Sequence, residues 1–298
     1  MTMKELVIIS GKGGTGKTSI VAAFAALANK KVLADCDVDA ADLHLILDPQ
    51  IERREIFKGG KQARVKAGHC IACDVCEEVC AYDAIHYNGP GNGKVDKTFQ
   101  VDPIACEGCG VCAHFCPCDA IEFSEVENGH WFISHTRFGY MVHAQLGIAE
   151  ENSGKLVTLV RNQAAQLALT QKLELVIIDG PPGIGCPVIA SIAGTDLVLV
   201  VTEPTLSALH DLERVRELTR HFDIPTLVCI NKFDLNEEIS VLIEKRASEI
   251  GARVIGKIHY DLSFTKAQIM KESVVEHSDG PIAKEIRFLW QQVANALE

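Results

Sequence analysis

Residues 6–19 run Leu6-Val7-Ile8-Ile9-Ser10-Gly11-Lys12-Gly13-Gly14-Thr15-Gly16-Lys17-Thr18-Ser19, and this stretch decides the fold. Four apolar residues in a row predict a short buried strand. Gly11 to Thr18 then satisfy G-x4-G-K-[ST]. Glycines at this spacing let backbone N–H groups turn inward around phosphate oxygens, and the dipole of a following helix adds to the attraction. Gly11, Lys12, Gly13, Gly14, Thr15, Gly16, Lys17, Thr18 and Ser19 are therefore the candidate nucleotide-binding run. Lys17 is expected to reach the β- and γ-phosphates, and the Thr18 hydroxyl to ligate Mg²⁺. The context agrees. A strand precedes the loop, the Ala-rich stretch Thr18–Asn29 is helical by composition, and Lys31–Ala34 reads as a second strand. Such a β-loop-α-β unit opens a parallel sheet.

Working outward, apolar runs and helical stretches resume after Trp131. Gly139–His143, Leu156–Val160, Leu175–Asp179, Leu197–Thr202, Leu227–Asn231 and Val254–Ile258 are expected strands. Asn162–Gln171, Ser207–Phe222, Glu237–Ile250 and Pro281–Leu297 are expected helices. Near-continuous Val/Ile/Leu strands alternating with helices predict an α/β P-loop NTPase class, a mostly parallel sheet covered on both faces. Leu175 to Asp179 is a hydrophobic strand ending in a carboxylate, the pattern that holds Mg²⁺ through its water shell. Asp35-Cys36-Asp37-Val38-Asp39 follows the second strand and sets three carboxylates at its end.

Between these parts the composition changes. From Phe57 to His130 the apolar runs give way to Cys, Gly and polar turns. Cys70-x2-Cys73-x2-Cys76-x3-Cys80 is echoed by Cys106-x2-Cys109-x2-Cys112-x3-Cys116, a period of 106 − 70 = 36 residues. Twelve cysteines, eight of them in two tight sets, read as metal ligation in a reducing compartment rather than as disulfides. Structural zinc sites want pairs of C-x2-C knuckles, which this spacing does not supply. Of the other cysteines, Cys36 and Cys229 are expected to be core, Cys186 to pack near the nucleotide, and Cys118 to fall at the repeat position of Tyr82. The expected organisation is a discontinuous ATPase domain, 1–56 and 131–298, with an insert at 57–130. Closing a loop of roughly 70 residues costs only a few kcal/mol, because the entropy grows with the logarithm of length.

A net charge of −11 argues against a nucleic-acid partner, since phosphate binding needs clustered Lys and Arg. The basic residues Arg53, Arg54, Lys58, Lys61, Arg64 and Lys66 read as a solvated approach to the cysteines. No run of 18 or more uncharged apolar residues is present, so no membrane span is expected. The N-terminus leads directly into the first strand, and a cytoplasmic location is expected.

The early Lys12 in Lys12-Gly13-Gly14-Thr15-Gly16-Lys17-Thr18 and the run Asp179-Gly180-Pro181-Pro182-Gly183 resemble the MinD/ParA/Mrp superfamily of ATPases, which includes the nitrogenase iron protein. The resemblance implies an ATP-sandwich homodimer with Lys12 acting in trans. It puts Asp37 near the attacking water and Mg²⁺, Asp179 at Mg²⁺, and the Gly183 N–H at the γ-phosphate. It places Asn231 beside adenine, although Asn231-Lys232-Phe233-Asp234 also matches the guanine-reading N-K-x-D. The cysteine repeat resembles bacterial-type two-cluster ferredoxins, small α+β domains in which the fourth Cys of each run ligates the other cluster. That implies one [4Fe–4S] on Cys70, Cys73, Cys76 and Cys116, and another on Cys106, Cys109, Cys112 and Cys80. Together these resemblances imply an ATP-hydrolysing redox protein with a redox or cluster-accepting protein partner. A cluster carrier of the Mrp kind and a ParA/MinD-like positioning ATPase are the alternatives.

Overall fold

The computed structural model describes residues 3–147 and 153–298. The chain enters as β1 (Lys4–Ser10), turns through the glycine loop into α1 (Lys17–Leu27) and returns as β2 (Lys31–Asp35). A short α2 (Leu43–Leu47) leads to β3 (Gln50–Phe57). The cysteine-rich stretch follows as β4 (Gly60–Val65), α3 (Val75–Glu78), β5 (Ile85–Gly89), β6 (Thr98–Val101), α4 (Val111–Phe115) and β7 (Ile121–Val126). The hairpin β8 (Gly129–Thr136) and β9 (Gly139–Leu146) comes next, then α5 (Ser153–Gln171), β10 (Leu175–Pro182) and α6 (Cys186–Ile192). Regular alternation completes the chain: β11 (Leu197–Thr202), α7 (Leu206–His221), β12 (Thr226–Asn231), α8 (Glu237–Glu249), β13 (Arg253–Ile258), α9 (Ser263–Ile269), α10 (Val274–His277) and α11 (Pro281–Leu297).

The described residues fall into two compact units, one of 3–55, 130–146 and 153–298, the other of 56–129 with Gly147. The first is built on a nine-stranded sheet in the order β13-β12-β11-β1-β10-β2-β9-β8-β3. From β13 to β9 every neighbouring pair is parallel. Strands β2 and β11 are buried from end to end, which is why they read as unbroken apolar runs. Helix α11 buries Ile282, Ala283, Ile286, Leu289 and Val293, a three-and-four spacing that makes one apolar face. Phe24 of α1 is fully buried and lies 5.0 Å, centroid to centroid, from Trp290 of α11. Burial of such a ring contributes about 1.5–3 kcal/mol.

The expected strand Leu156–Val160 is instead the second and third turns of α5. Its buried residues, Leu156, Val157, Val160, Ala164 and Ala168, recur at helical spacing over the whole element. A five-residue window holding two valines shows only their β-preference. Nineteen residues show the period.

The second unit pairs β4 with β7 and β5 with β6, both antiparallel. Each half of the sequence repeat thus gives one strand to each ribbon. The backbone repeats with the sequence. Left-handed residues at Ala72, Asp74 and Asp83 recur at Gly108, Gly110 and Asp119, each 36 positions later by subtraction. Its core is small: Ala63, Ile85, Phe99 and Ala120, completed by Cys70, Cys76 and Cys112. Among the described residues no helix is long and apolar enough to cross a membrane.

Candidate nucleotide and cysteine sites

Strand β1 lies where the strand order reverses, flanked by β10 and β11, so the loop after it opens into the crevice at the strand ends. Gly16 has φ +88°, and a Cβ there would meet Asn231 Nδ2 at 2.4 Å. That amide donates to the Thr15 carbonyl oxygen at 2.7 Å. Only glycine combines this backbone with so close a neighbour. Gly183, with φ +91°, donates its N–H to the Ser10 carbonyl at 2.8 Å and ties the end of β10 to the start of the loop. Gly11, Gly13 and Gly14 line the outer part of the loop, and Thr18 is half-buried at the start of α1. The Ser19 hydroxyl accepts from Gln268 Nε2 at 2.8 Å.

Lys17 is buried and faces carboxylates from the ends of two strands. Its Nζ lies 3.3 Å from Asp37 Oδ2 and donates to Asp179 Oδ1. Burial works to lower the Lys17 ammonium, but Asp179 and Asp37 outweigh it and hold it above its ordinary value. Asp35 stands beside Asp179 in the parallel register of β2 and β10. Its Oδ1 accepts from the Asp37 N–H at 3.2 Å. Burial first, and then the charge of Asp179, push the Asp35 carboxyl well above the usual range. Burial also raises Asp37, with Lys17 opposing. The set is chemically unfinished: three carboxyl groups share one ammonium, and Oδ2 of both Asp35 and Asp179 is buried without a partner. Asp39 is exposed. Asp35 was not singled out from sequence, although its place at a strand end beside the β10 carboxylate is the signal that marks it.

Lys12 is turned onto its own chain. Its Nζ pairs with Glu203 Oε1 at 2.6 Å and lies 3.4 Å from Thr205 Oγ1. Lys232 reaches the same carboxylate at 3.4 Å and the Gly14 carbonyl at 3.0 Å. Burial works to raise the Glu203 carboxyl, but the two lysines outweigh it and hold it below its ordinary value. Glu203 carries no motif that would single it out, and Lys232 is the second residue of the N-K-x-D run, whose reading concerned the base rather than a tie to the phosphate loop. Asp234, the last residue of N-K-x-D, accepts from the Tyr260 N–H at 2.7 Å, so one oxygen of the group that would read guanine is already committed.

In the second unit the eight cysteines surround two small cavities. Cys80, Cys106, Cys109 and Cys112 line one. Cys70, Cys73, Cys76 and Cys116 line the other. Each fourth cysteine therefore lies with the opposite run, because the two repeats exchange strands. The Ala84 N–H donates to Cys80 Sγ at 3.4 Å, and the Ala120 N–H to Cys116 Sγ at 3.3 Å. Burial, and then Cys70, push the Cys76 thiol up to about 12. Among the described residues no three Cys, His, Asp or Glu side chains converge closely enough for a single ion. Zinc would draw its sulfurs to about 2.3 Å from one point.

The remaining cysteines divide. Cys36 and Cys229 are buried. Cys186 is exposed at the start of α6, not packed as expected, because it opens a seven-residue helix whose buried residues, Val188, Ser191 and Ile192, lie further on. Cys118 Sγ lies 3.8 Å from Cys116 Sγ.

Comparison with known proteins gives these geometries a context. Residues 6–274 match the family described as the CobQ/CobB/MinD/ParA nucleotide binding domain. An uncharacterized protein of Methanocaldococcus jannaschii is 37% identical over 78% of this chain and 79% of its own length. An iron–sulfur cluster carrier protein of Pyrococcus furiosus is 27% identical over 49% of this chain and 53% of its own. In fold, the chain is similar to the septum site-determining protein MinD of Pyrococcus horikoshii complexed with Mg-ADP. The TM-score is 0.58 at 17% identity, over 98% of this chain and 96% of that one.

Proposed function

This chain belongs to the CobQ/CobB/MinD/ParA nucleotide-binding family, and on that premise we propose that it is an ATPase whose nucleotide cycle gates electron transfer through two [4Fe–4S] clusters. The clusters are carried in a ferredoxin-like module at 57–130. The observation that carries the reading is the sorting of the eight cysteines into two crossed sets of four, each around its own cavity. Four thiolates spread around a small cavity suit a four-iron cluster, whose chemistry when bound is one-electron transfer.

The nucleotide roles rest on the residues around Lys17. The unpartnered Asp179 Oδ2 beside the loop fits Mg²⁺, an oxygen-seeking cation that keeps several waters and uses one or two carboxylates plus phosphates. Asp179 would hold the ion with the Thr18 hydroxyl. ATP would take Lys17 from Asp37 and Asp179 to its β- and γ-phosphates. The freed Asp37 orients a water in line with the γ-phosphorus and takes its proton late, as the bond to the β-phosphate oxygen breaks and ADP leaves. Loop N–H groups from Gly13 to Ser19 hold the phosphate oxygens, Gly183 joins them only by giving up the Ser10 carbonyl that its N–H now meets at 2.8 Å, and Asn231 stands at the base. Lys12 exchanges Glu203 for the nucleotide of a second copy, closing a homodimer.

A second reading has one specific observation in its favour. The Pyrococcus furiosus relative named as an iron–sulfur cluster carrier shares half of this chain, so delivery of a cluster to an acceptor protein is the alternative. The deciding experiment uses anaerobically purified protein. Iron and acid-labile sulfide are assayed, and the clusters are titrated by EPR with and without MgATP. Iron and sulfide for two clusters, with potentials or reduction kinetics that move on MgATP binding, are expected. Zinc or no metal at the cysteines would refute the reading. Potentials indifferent to nucleotide, with clusters passed intact to an apo-acceptor, would establish the carrier instead.

A further inference from the structure

The two halves of the cysteine unit are near copies, so each serves as an internal control for the other. Both fourth cysteines, Cys80 and Cys116, accept one backbone N–H from the residue four positions on, at 3.4 and 3.3 Å. Both cavities have a cysteine set of the same make-up, with one exposed member each, Cys109 and Cys73. The halves differ two residues after the fourth cysteine. One carries Tyr82, half exposed, which lines the cavity of Cys80, Cys106, Cys109 and Cys112 but brings no sulfur to it. The other carries Cys118, which lines the cavity of Cys70, Cys73, Cys76 and Cys116 and places its Sγ 3.8 Å from Cys116 Sγ.

Either sulfur of two free thiols can donate in such a contact. Once Cys116 ligates iron it is a thiolate without a proton, so only Cys118 S–H can donate and Cys116 Sγ can only accept. A hydrogen bond to a ligand sulfur stabilises the more negative, reduced cluster more than the oxidised one, and so raises the potential. We infer that Cys118 is a non-ligating tuning residue that makes the two clusters inequivalent, setting the cluster on Cys70, Cys73, Cys76 and Cys116 at the higher potential, where a single electron comes to rest. Each cluster gains one electron and no atoms, and the thiol keeps its proton throughout. The inference rests on the cluster reading above. It adds an asymmetry to it: at equilibrium the first electron rests on the cluster of Cys70, Cys73, Cys76 and Cys116.

The test is an EPR-monitored redox titration with dithionite as reductant, run on the wild type, Cys118→Ala, Cys118→Ser and Tyr82→Cys. Iron analysis comes first. Fewer than the eight irons of two four-iron clusters in the wild type would fail the cluster reading itself, before this inference is reached. With eight present, the wild type is expected to show two one-electron waves. Cys118→Ala should move the upper wave down by about tenfold in its equilibrium, 59 mV for one electron, and leave the lower wave in place. Cys118→Ser keeps an O–H donor and should restore part of that shift, and Tyr82→Cys should raise the lower wave. A merely packing role for Cys118 would not move one wave selectively. Overlapping wild-type waves, or waves unmoved in Cys118→Ala at full iron content, overturn the inference.

Discussion

Lys17 answers to three carboxyl groups at once, and that imbalance shapes what single substitutions do. Lys17→Ala removes the ammonium that, among the described residues, pairs with both Asp37 and Asp179. On the proposed reading it also removes the charge that meets the γ-phosphate, so steady-state ATP hydrolysis is expected to fall at least about 10²–10³-fold, the scale of losing one preorganised charge donor. An assay showing hydrolysis within a few-fold of wild type would remove Lys17 from the phosphate site. Gly16→Ala tests the loop differently. A methyl group would strike Asn231 Nδ2 while the residue is held at φ +88°. Strain of this kind costs about 1–3 kcal/mol, so a lower midpoint in urea and weaker nucleotide binding by calorimetry are expected together. At this scale the sequence was most legible where chemistry is local: the glycines, Lys17 and Thr18 are adjacent in the chain. Asp35 and Glu203 were not, and Lys232 was legible only as part of N-K-x-D and not as a tie to Gly14 and Glu203, because these contacts come from neighbours brought in by other strands.

Elements were legible in proportion to how far burial wrote a period into them. Helix α11 runs Pro281–Leu297 and β11 runs Leu197–Thr202, the ranges their patterns predict. The segment Leu156–Val160 misled because three of its five residues, Val157, Thr158 and Val160, are β-branched and the window is too short to reveal the helical face that buries it. Strand β3 escaped notice for the opposite reason. Its outer residues are exposed at the sheet edge, so Ile51, Glu52, Arg53, Arg54 and Glu55 carry no alternation. The β8–β9 hairpin adds a pH signature. His143 is buried, pairs with Ser134 Oγ at 2.9 Å and stacks on Phe132. Burial, and then His44, push its ring down to about 4. Below the ordinary value of about 6.5 the unfolded chain takes up this proton and the folded one does not. Stability should therefore fall as pH drops from 6.5 to about 4, by up to about 3 kcal/mol from this ring, and level off below. In His143→Gln that part of the slope should vanish. An unchanged slope in urea titrations across this window would show that the ring is not held neutral.

For the molecule as a whole, the question is what holds an insert with so little hydrophobic core. Three of its seven buried core residues are Cys70, Cys76 and Cys112. At roughly 25 cal/mol per Å² of apolar surface, so small a core does not offset the ordering of more than 70 residues. Metal sites supply folding free energy in such units, and removing the metal then unfolds them. The ATPase unit has no such need, because its core runs from Leu6 and Phe24 through Ile177 and Leu199 to Leu289 and Val293. Strands β3 and β8, by which the chain leaves and re-enters the sheet, are neighbours within it, so the insert's ends are held close whether or not the insert is ordered. On the proposed cluster reading, iron removal by a chelator under reducing, anaerobic conditions should therefore open residues 56–129 to limited proteolysis. The rest of the chain should keep its nucleotide-dependent protection by MgATP. An insert that stays resistant after iron loss would mean that its fold does not depend on metal, and the cysteine cavities would then need another explanation. Loss of both units together would mean that the sheet draws its stability from the insert, contrary to the separate cores.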